Sequence, residues 1–203
     1  MNFIAFDTET TGIKPGQDRI IELGAVKFIN GEPGDRFETL INPGVPIPPG
    51  ASRVNGITDD MVADAPKIET KLDEFAAFCG DMPLVAHNAP FDFKFIKAAI
   101  ETHRSQAPKG TVLDSCELAR KMLPNMINYK LGTLVAHFQF PTTTFHRAAD
   151  DAVYCGLLFQ RLIEMRHKLG EPVSVADIVK VIGKAELKLP QLAPATDQLD
   201  LFG

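Results

Sequence analysis

Cysteine is scarce in this chain of 203 residues, and the few cysteines present form no recognisable pattern. Cys79, Cys116 and Cys155 are odd in number and far apart, which excludes a disulfide framework and a C-x-x-C metal cluster. We expect them to be small, buried, apolar side chains in a reducing, cytoplasmic compartment.

Long apolar runs are also missing. No stretch reaches the roughly 18 apolar residues that a membrane-spanning helix needs. The N-terminal residues MNFIAFDTET are neither basic nor continuously apolar, so we expect no secretory signal. Apolar residues make up 45% of the chain and charged residues 23%, which is typical of a globular domain that buries its core without disulfides.

Positive charge is in deficit. The 21 lysines and arginines face 26 aspartates and glutamates, for a net charge of -5. Taken alone, this balance argues against nucleic-acid binding, which usually needs a basic surface. The argument weakens if several acids bind a divalent metal ion, because the ion reverses the local field.

The order of predicted elements indicates an α/β fold. Strands are predicted over residues 3–6, 19–29 and 36–41, as an antiparallel meander with a turn at Asn30-Gly31, and a proline-rich loop follows at 43–49. Beyond it the apolar spacing predicts short strands at 84–86 and 112–113 and helices at 68–79, 90–101, 116–123, 129–138 and 148–169. Strands followed by strand-helix alternation predict a mixed sheet with helices on its faces.

The last part of the chain differs in character. We divide the sequence into a domain over residues 1–170 and an appendage with a tail over 171–203. Residues 171–188 favour a small helix with Lys180, Lys184 and Lys188 spaced four apart, which fits either phosphate contacts or a solvated helix face. From Pro190, prolines and few core-like positions predict a flexible tail.

Four acids stand where carboxylates could meet. Asp7 and Glu9 are two apart near the end of the first strand, so their side chains share one face. Burying two carboxylates together is costly unless a divalent cation binds both, although a strand end that reaches solvent would also accommodate them. Asp92 and Asp151 lie in the first turns of predicted helices, where they could reach a sheet edge or simply complement the helix dipole.

Three segments carry these acids in order: FDTETTG at 6–12, HNAPFD at 87–92 and HRAADD at 146–151. Together they resemble the DEDDh 3′→5′ exonuclease family, the ribonuclease-H-like group that includes the epsilon proofreading subunit of DNA polymerase III. The resemblance spans roughly residues 1–168. It implies a ribonuclease-H-like fold with a five-stranded mixed sheet, in agreement with the predicted three strands and then two.

The resemblance also implies a reaction, in which the terminal phosphodiester is hydrolysed and nucleoside 5′-monophosphates are released. Two divalent ions, Mg²⁺ or Mn²⁺, would be held by the four acids of the motifs, Asp7, Glu9, Asp92 and Asp151. His146 would be the general base, and the family spacing H-x-x-x-x-D selects Asp151 over Asp150. For the other histidines we expect structural roles, with His87 supporting the site at most: His87, His103, His137 and His167.

Four residues are candidate substrate contacts: Thr8, Thr10, Asn55 and Phe91. For Thr10 and the segment around Asn55, the resemblance implies the contact, whereas Thr8 is a candidate because it lies beside the acids. Asn55 stands where polymerase-type members usually have histidine, which leaves the nucleotide preference open; as a plain turn residue it would have no such role. The threonines also suit a strand for their β-propensity alone. Phe91 and Phe93 could stack on a base, although at least one should pack in the core.

The C-terminal segment resembles the bacterial sliding-clamp-binding pentapeptide. Its residues are Gln198, Leu199, Asp200, Leu201 and Phe202. Exposed apolar residues on a polar tail often mark a partner contact, although they could instead fold back on the core. The predicted partners are therefore DNA 3′ ends, the sliding clamp and a DNA polymerase.

Two rivals remain open at this stage. An exoribonuclease of the same superfamily would carry the same motifs, because discrimination rests on contacts to the 2′-hydroxyl. A non-catalytic module that only presents the clamp-binding tail would not need four acids and a histidine. The tail favours DNA as the substrate.

Overall fold

Five strands form one mixed sheet in the order β3-β2-β1-β4-β5, in a computed structural model that describes residues 1–141 and 147–192. β1 (Phe3–Thr10), β2 (Ile20–Ile29) and β3 (Glu32–Leu40) are antiparallel neighbours. β4 (Leu84–Ala86) and β5 (Val112–Asp114) continue the sheet parallel to β1. The predicted five-stranded mixed sheet is confirmed.

Helices cover both faces of this sheet. In the described residues they are α1 (Pro49–Asn55), α2 (Asp59–Val62), α3 (Ile68–Cys79), α4 (Pro90–His103), α5 (Ser115–Met122), α6 (Leu131–His137), α7 (Ala148–Lys168) and α8 (Val175–Ile182). Sequence patterning missed α1 and α2, which follow the proline-rich loop. Proline is tolerated in the first turn of a helix, and Gly56 ends α1 in the left-handed conformation with φ of 72°.

β1 supplies both hydrophobic cores because its side chains alternate between the two faces. Phe3 and Ala5 pack with α5, α7 and α8, whereas Ile4 and Phe6 pack with α3 and α4. The strand pairs with β2 as far as Thr10, four residues beyond the predicted end. Asp7 and Glu9 therefore lie within the paired part of the strand, near its end, as expected.

A glycine lets α7 approach the sheet closely. Gly24 on β2 is the register partner of Asp7, and a Cβ atom built on Gly24 would overlap the backbone of Ala148 and Ala149. The first turn of α7 therefore rests directly on the sheet beside the acidic half of β1.

The segment after residue 170 continues the packing of the domain. Ile178 and Ile182 belong to the same buried cluster as α7, and Leu189 is buried. The Gln191 side chain donates to the Pro108 carbonyl over 3.1 Å, so the predicted flexible tail does not begin at Pro190.

The lysine pattern of this segment does not form one helix face. α8 ends at Ile182, so of Lys180, Lys184 and Lys188 only the first is helical. Lys184 pairs with Glu117 at 2.9 Å and Lys188 with Glu186 at 3.3 Å.

The described residues bear on two features of the composition, the cysteines and the lack of long apolar runs. The three cysteines are buried and free, as predicted. Over residues 1–141 and 147–192, no helix combines the length and the hydropathy that crossing a membrane requires.

Substituting Gly24→Ala should lower the free energy of unfolding by about 1–3 kcal/mol, because the added methyl group displaces the first turn of α7. Chemical denaturation followed by circular dichroism measures the change. Gly34→Ala on the adjacent strand is the matched control, since a Cβ there meets only the Lys27 carbonyl at 3.7 Å and should change stability by less than about 0.5 kcal/mol. Equal stabilities for the two variants would contradict the close approach.

Candidate active site

Three carboxylates from two elements meet at the end of β1. Asp7 and Glu9 project from one face of the strand, and Asp151 projects from the first turn of α7, which lies over that face. One oxygen from each of the three lies within 4.8 Å of the others. Residues distant in sequence thus converge because Gly24 allows α7 to rest on β1 and β2.

The fourth predicted acid approaches β1 from the opposite face. Asp92 lies in the first turn of α4 and is only 2% exposed. Its Oδ1 atom accepts a hydrogen bond from the Thr8 amide at 3.0 Å and another from the Thr8 hydroxyl at 2.7 Å. The alternation of β1 places Thr8 on the α4 side, so the threonine holds Asp92 against the strand.

Burial and mutual repulsion dominate the electrostatics of these acids. Burial raises the pKa of Asp7 well above its usual value, and the charges of Asp92, Glu9 and Asp151 raise it further. Burial, followed by the charge of Asp151, raises the pKa of Glu9 to about 7, against a hydrogen bond from Asn55. Burial raises the pKa of Asp92 to about 7, although the hydrogen bonds from Thr8 oppose the shift.

The donor set fits a hard divalent cation. Over residues 1–141 and 147–192, no lysine or arginine forms an ion pair with Asp7, Glu9 or Asp92. Carboxylate oxygens at this spacing are the ligands that Mg²⁺ and Mn²⁺ prefer, and a bound cation would offset the repulsion that raises these pKa values.

Most predicted substrate-contacting side chains are engaged within the protein. Thr10 donates its hydroxyl to the Gly12 carbonyl at 2.6 Å, and Thr8 donates to Asp92. Asn55 is buried; its amide donates to the Thr10 carbonyl at 3.4 Å, and its Oδ1 accepts from the Ile57 amide at 3.0 Å. Because Asn55 also hydrogen-bonds Glu9, it links the end of α1 to the acidic strand.

The four acids open into a cleft of about 600 Å³. Phe91 lines this cleft while its ring packs on Phe95, with centroids 5.0 Å apart. Lys130 and the first turn of α6 form another wall, which sequence analysis missed. The only local signal was a cation directly before a helix, and such residues are common on surfaces.

His87 has the supporting position expected for it. Its Nδ1 lies 2.9 Å from the Ser115 hydroxyl and its Nε2 lies 2.7 Å from the Tyr129 carbonyl. Burial lowers the pKa of His87, which favours the neutral ring. The imidazole thereby connects the loop before α4 to the segment before α6, and residues of both segments line the cleft.

A buried ion pair beside the site was also missed. Glu22 on β2 is fully buried and lies opposite Glu9 in the strand ladder. Arg147, at the start of α7, donates to it from Nε at 2.9 Å and from Nη2 at 2.6 Å. The available signal was a single glutamate in the otherwise apolar run IIELGAV at residues 20–26.

Two predicted features lie outside the described residues. These are the general base, His146, and the clamp-binding pentapeptide at 198–202. Both remain predictions from the sequence.

Several known proteins are similar to this chain in sequence. The profile of the RNase_T family, described as an exonuclease family, matches residues 4–159. A PolC-type DNA polymerase III from Caldanaerobacter subterraneus subsp. tengcongensis is 40% identical over 94% of this chain, which spans only 13% of that relative's length. The DNA polymerase III subunit epsilon of Treponema pallidum is 41% identical over 79% of this chain and 76% of the relative.

Solved structures share the fold. Exonuclease X, in complex with 5′ overhanging duplex DNA, matches with a TM-score of 0.69 and 27% identity, over 90% of this chain and 99% of that one. A 3′-exonuclease that recognises the 3′ end of a histone mRNA stem-loop matches with a TM-score of 0.70 over 81% of this chain and 82% of that one. At 17% identity, the second match shows the fold alone.

The raised pKa values predict a pH-dependent stability that metal reverses. Between about pH 4 and pH 7 the native carboxyls keep protons that the unfolded chain has released, so in EDTA the stability should fall as pH rises. Mn²⁺ binds the ionised native form, so it should stabilise most at high pH. Thermal unfolding from pH 5 to pH 8, with and without Mn²⁺, measures both effects.

Asp7→Asn should remove part of this pH dependence and raise the EDTA unfolding temperature at pH 8 by about 4 °C or more, because it deletes a buried charge that Asp92, Glu9 and Asp151 repel. Asp150→Asn is the control, since it removes the charge next to Asp151 on the same helix turn. It should leave the dependence of the unfolding temperature on pH as in the original chain. If the unfolding temperature of the original chain in EDTA did not change with pH, the proposed repulsion between buried carboxylates would be refuted.

Proposed function

Because the chain belongs to the RNase T exonuclease family, we propose that it is a metal-dependent 3′→5′ exonuclease that releases nucleoside 5′-monophosphates from DNA ends. The observation that carries the proposal is the convergence of Asp7, Glu9 and Asp151 opposite Asp92 at one open cleft. A purely presenting module would have no use for repelling carboxylates at half-buried positions.

In this proposal, the position of each acid determines which metal ion it would bind. Asp7, Glu9 and Asp151 would hold one divalent ion, and Asp92, fixed by Thr8, would help to hold a second. When bound, such ions supply Lewis acidity and a lowered pKa for coordinated water. Asn55 and Thr8 keep the ligand oxygens oriented, which preserves the geometry needed for hydrolysis.

The remaining roles go to groups around the acids. His146 would take the proton from the attacking water, since an ordinary histidine titrates near neutral pH. Phe91 presents an aromatic ring in the cleft on which a base could stack, and Lys130 places a cation in the lining of the same cleft.

DNA is the favoured substrate. Exonuclease X, whose structure this chain resembles, was solved in complex with duplex DNA. The relatives described above are a PolC-type DNA polymerase III and a DNA polymerase III subunit epsilon. A role in replication proofreading or repair in the cytoplasm, in association with a polymerase, fits these relatives. An exoribonuclease is the alternative.

The C-terminal pentapeptide would tether this enzyme to the sliding clamp. A net charge of -5 gives the chain weak attraction to DNA beyond its metal site. A tether raises the local concentration of DNA ends without requiring a basic surface. The residues after 192 provide a connection between the packed domain and the pentapeptide.

Incubation with matched oligonucleotides of single-stranded DNA, mismatched duplex and RNA tests the activity. With Mn²⁺ or Mg²⁺ we expect mononucleotide release from DNA, and EDTA should abolish it. Asp7→Asn should reduce the rate by roughly a hundredfold or more, because it removes a central charge of the site. Asp150→Asn, which removes the charge next to Asp151 in the first turn of α7, is the control and should retain the rate.

Digestion of RNA in preference to both DNAs would establish the exoribonuclease instead. No release from any of the three substrates, in a chain that folds and binds Mn²⁺, would overturn the proposed activity.

The double substitution Leu201→Ala and Phe202→Ala should abolish retention of the chain on an immobilised sliding clamp, because it removes the apolar side chains that would fill the clamp pocket. Hydrolysis of short oligonucleotides should be unchanged. Thr196→Ala with Asp197→Ala, just before the pentapeptide, is the matched control and should be retained. Equal retention of both variants would reject the tether.

A further inference from the structure

Glu22 differs from a surface glutamate in its burial and in its hydrogen bonds. Its side chain is 0% exposed, and the two carboxylate oxygens have separate partners on α7. Oε1 accepts from the Arg147 guanidinium, and Oε2 accepts from the Ala148 amide at 2.9 Å. A buried carboxylate is tolerated only when such partners satisfy it.

These partners form the start of α7. Arg147 is the N-cap residue and has no side-chain cap of its own, and Ala148 is the first helical residue. The first amides of a helix lack partners within the helix, so Glu22 caps α7 from the neighbouring strand. The carboxylate and the guanidinium together fix where the helix begins.

The metal ligand Asp151 follows within one turn. Its amide donates to the Arg147 carbonyl at 2.9 Å, so any movement of Arg147 moves the backbone of Asp151. On the strand side, Glu22 lies opposite Glu9, another carboxylate of the cluster. The ion pair therefore joins the two elements whose carboxylates must meet.

We propose that Glu22 and Arg147 are positioning residues of the active site, which set the distance between Asp151 and the acidic pair on β1. Neither touches the metal or the substrate in this role. This proposal rests on the proposed function, because it assumes that the carboxylates whose spacing the pair controls bind a metal ion. Arg147 also neutralises the charge of Glu22. A metal ion at the site would therefore be surrounded by the carboxylates that bind it, without an additional unpaired carboxylate beside them.

A structural role alone would show as lost stability with an intact site. Positioning predicts weaker metal binding and slower turnover in a protein that still folds. The test is therefore isothermal titration with Mn²⁺, together with kcat and KM on a single-stranded DNA oligonucleotide, on the full chain.

Arg147→Met should weaken Mn²⁺ binding and lower kcat, each by about tenfold or more, with KM for the oligonucleotide within about twofold. Arg147→Lys keeps the charge and should recover part of both losses. Glu22→Gln keeps the shape of the side chain and removes its charge, so it should resemble Arg147→Met. Arg36→Met is the matched control, since it breaks an exposed pair with Asp150 at 3.7 Å on the same turn.

Wild-type Mn²⁺ affinity and kcat in Arg147→Met would overturn the proposal, even with a lowered unfolding temperature. If that variant does not fold, Arg147→Lys and Glu22→Gln decide by the same criterion. The proposed function fails separately, if the original chain binds Mn²⁺ but hydrolyses no oligonucleotide; a variant that then weakens Mn²⁺ binding still supports positioning. An original chain that binds no Mn²⁺ overturns both.

Discussion

Repulsion between carboxylates is the constraint on which the site depends. Asp7 takes unfavourable contributions from Asp92, Glu9 and Asp151 in addition to its burial. Folding brings these charges together because the hydrophobic cores on both faces of the sheet fix the strand and helices that carry them. The stability of the packed layers thus holds in place an arrangement that a divalent cation can complete.

Successive side chains of β1 point to opposite faces of the sheet, and each face contributes to a different part of the site. The face that carries Asp7 and Glu9 looks toward α7, and the face that carries Thr8 looks toward α4 and Asp92. One strand therefore reaches acids on two helices that lie on opposite sides of the sheet. The absence of a side chain at Gly24 and the buried Glu22 set the height and the starting point of α7 above it.

Local electrostatics also reconcile an acidic protein with an anionic substrate. Four carboxylates line one cleft, so a site loaded with cations would present the opposite field to a phosphate. Lys130 and Phe91 on the cleft walls offer contacts for a strand without making the chain basic overall. In the proposed function, affinity for DNA would then come from the metal site and the tether together.

Sequence alone determined the architecture and the acids, because periodicity and short motifs are local properties. The five strands, the helix over 68–79, the buried cysteines and the carboxylates of the three motifs could all be predicted this way. Only the tertiary structure revealed the Thr8–Asp92 bond, the link from Asn55 to Glu9 and the pairing of Glu22 with Arg147. Each of these joins residues separated by tens of positions, and a partner chosen by packing leaves no periodic signal in the chain.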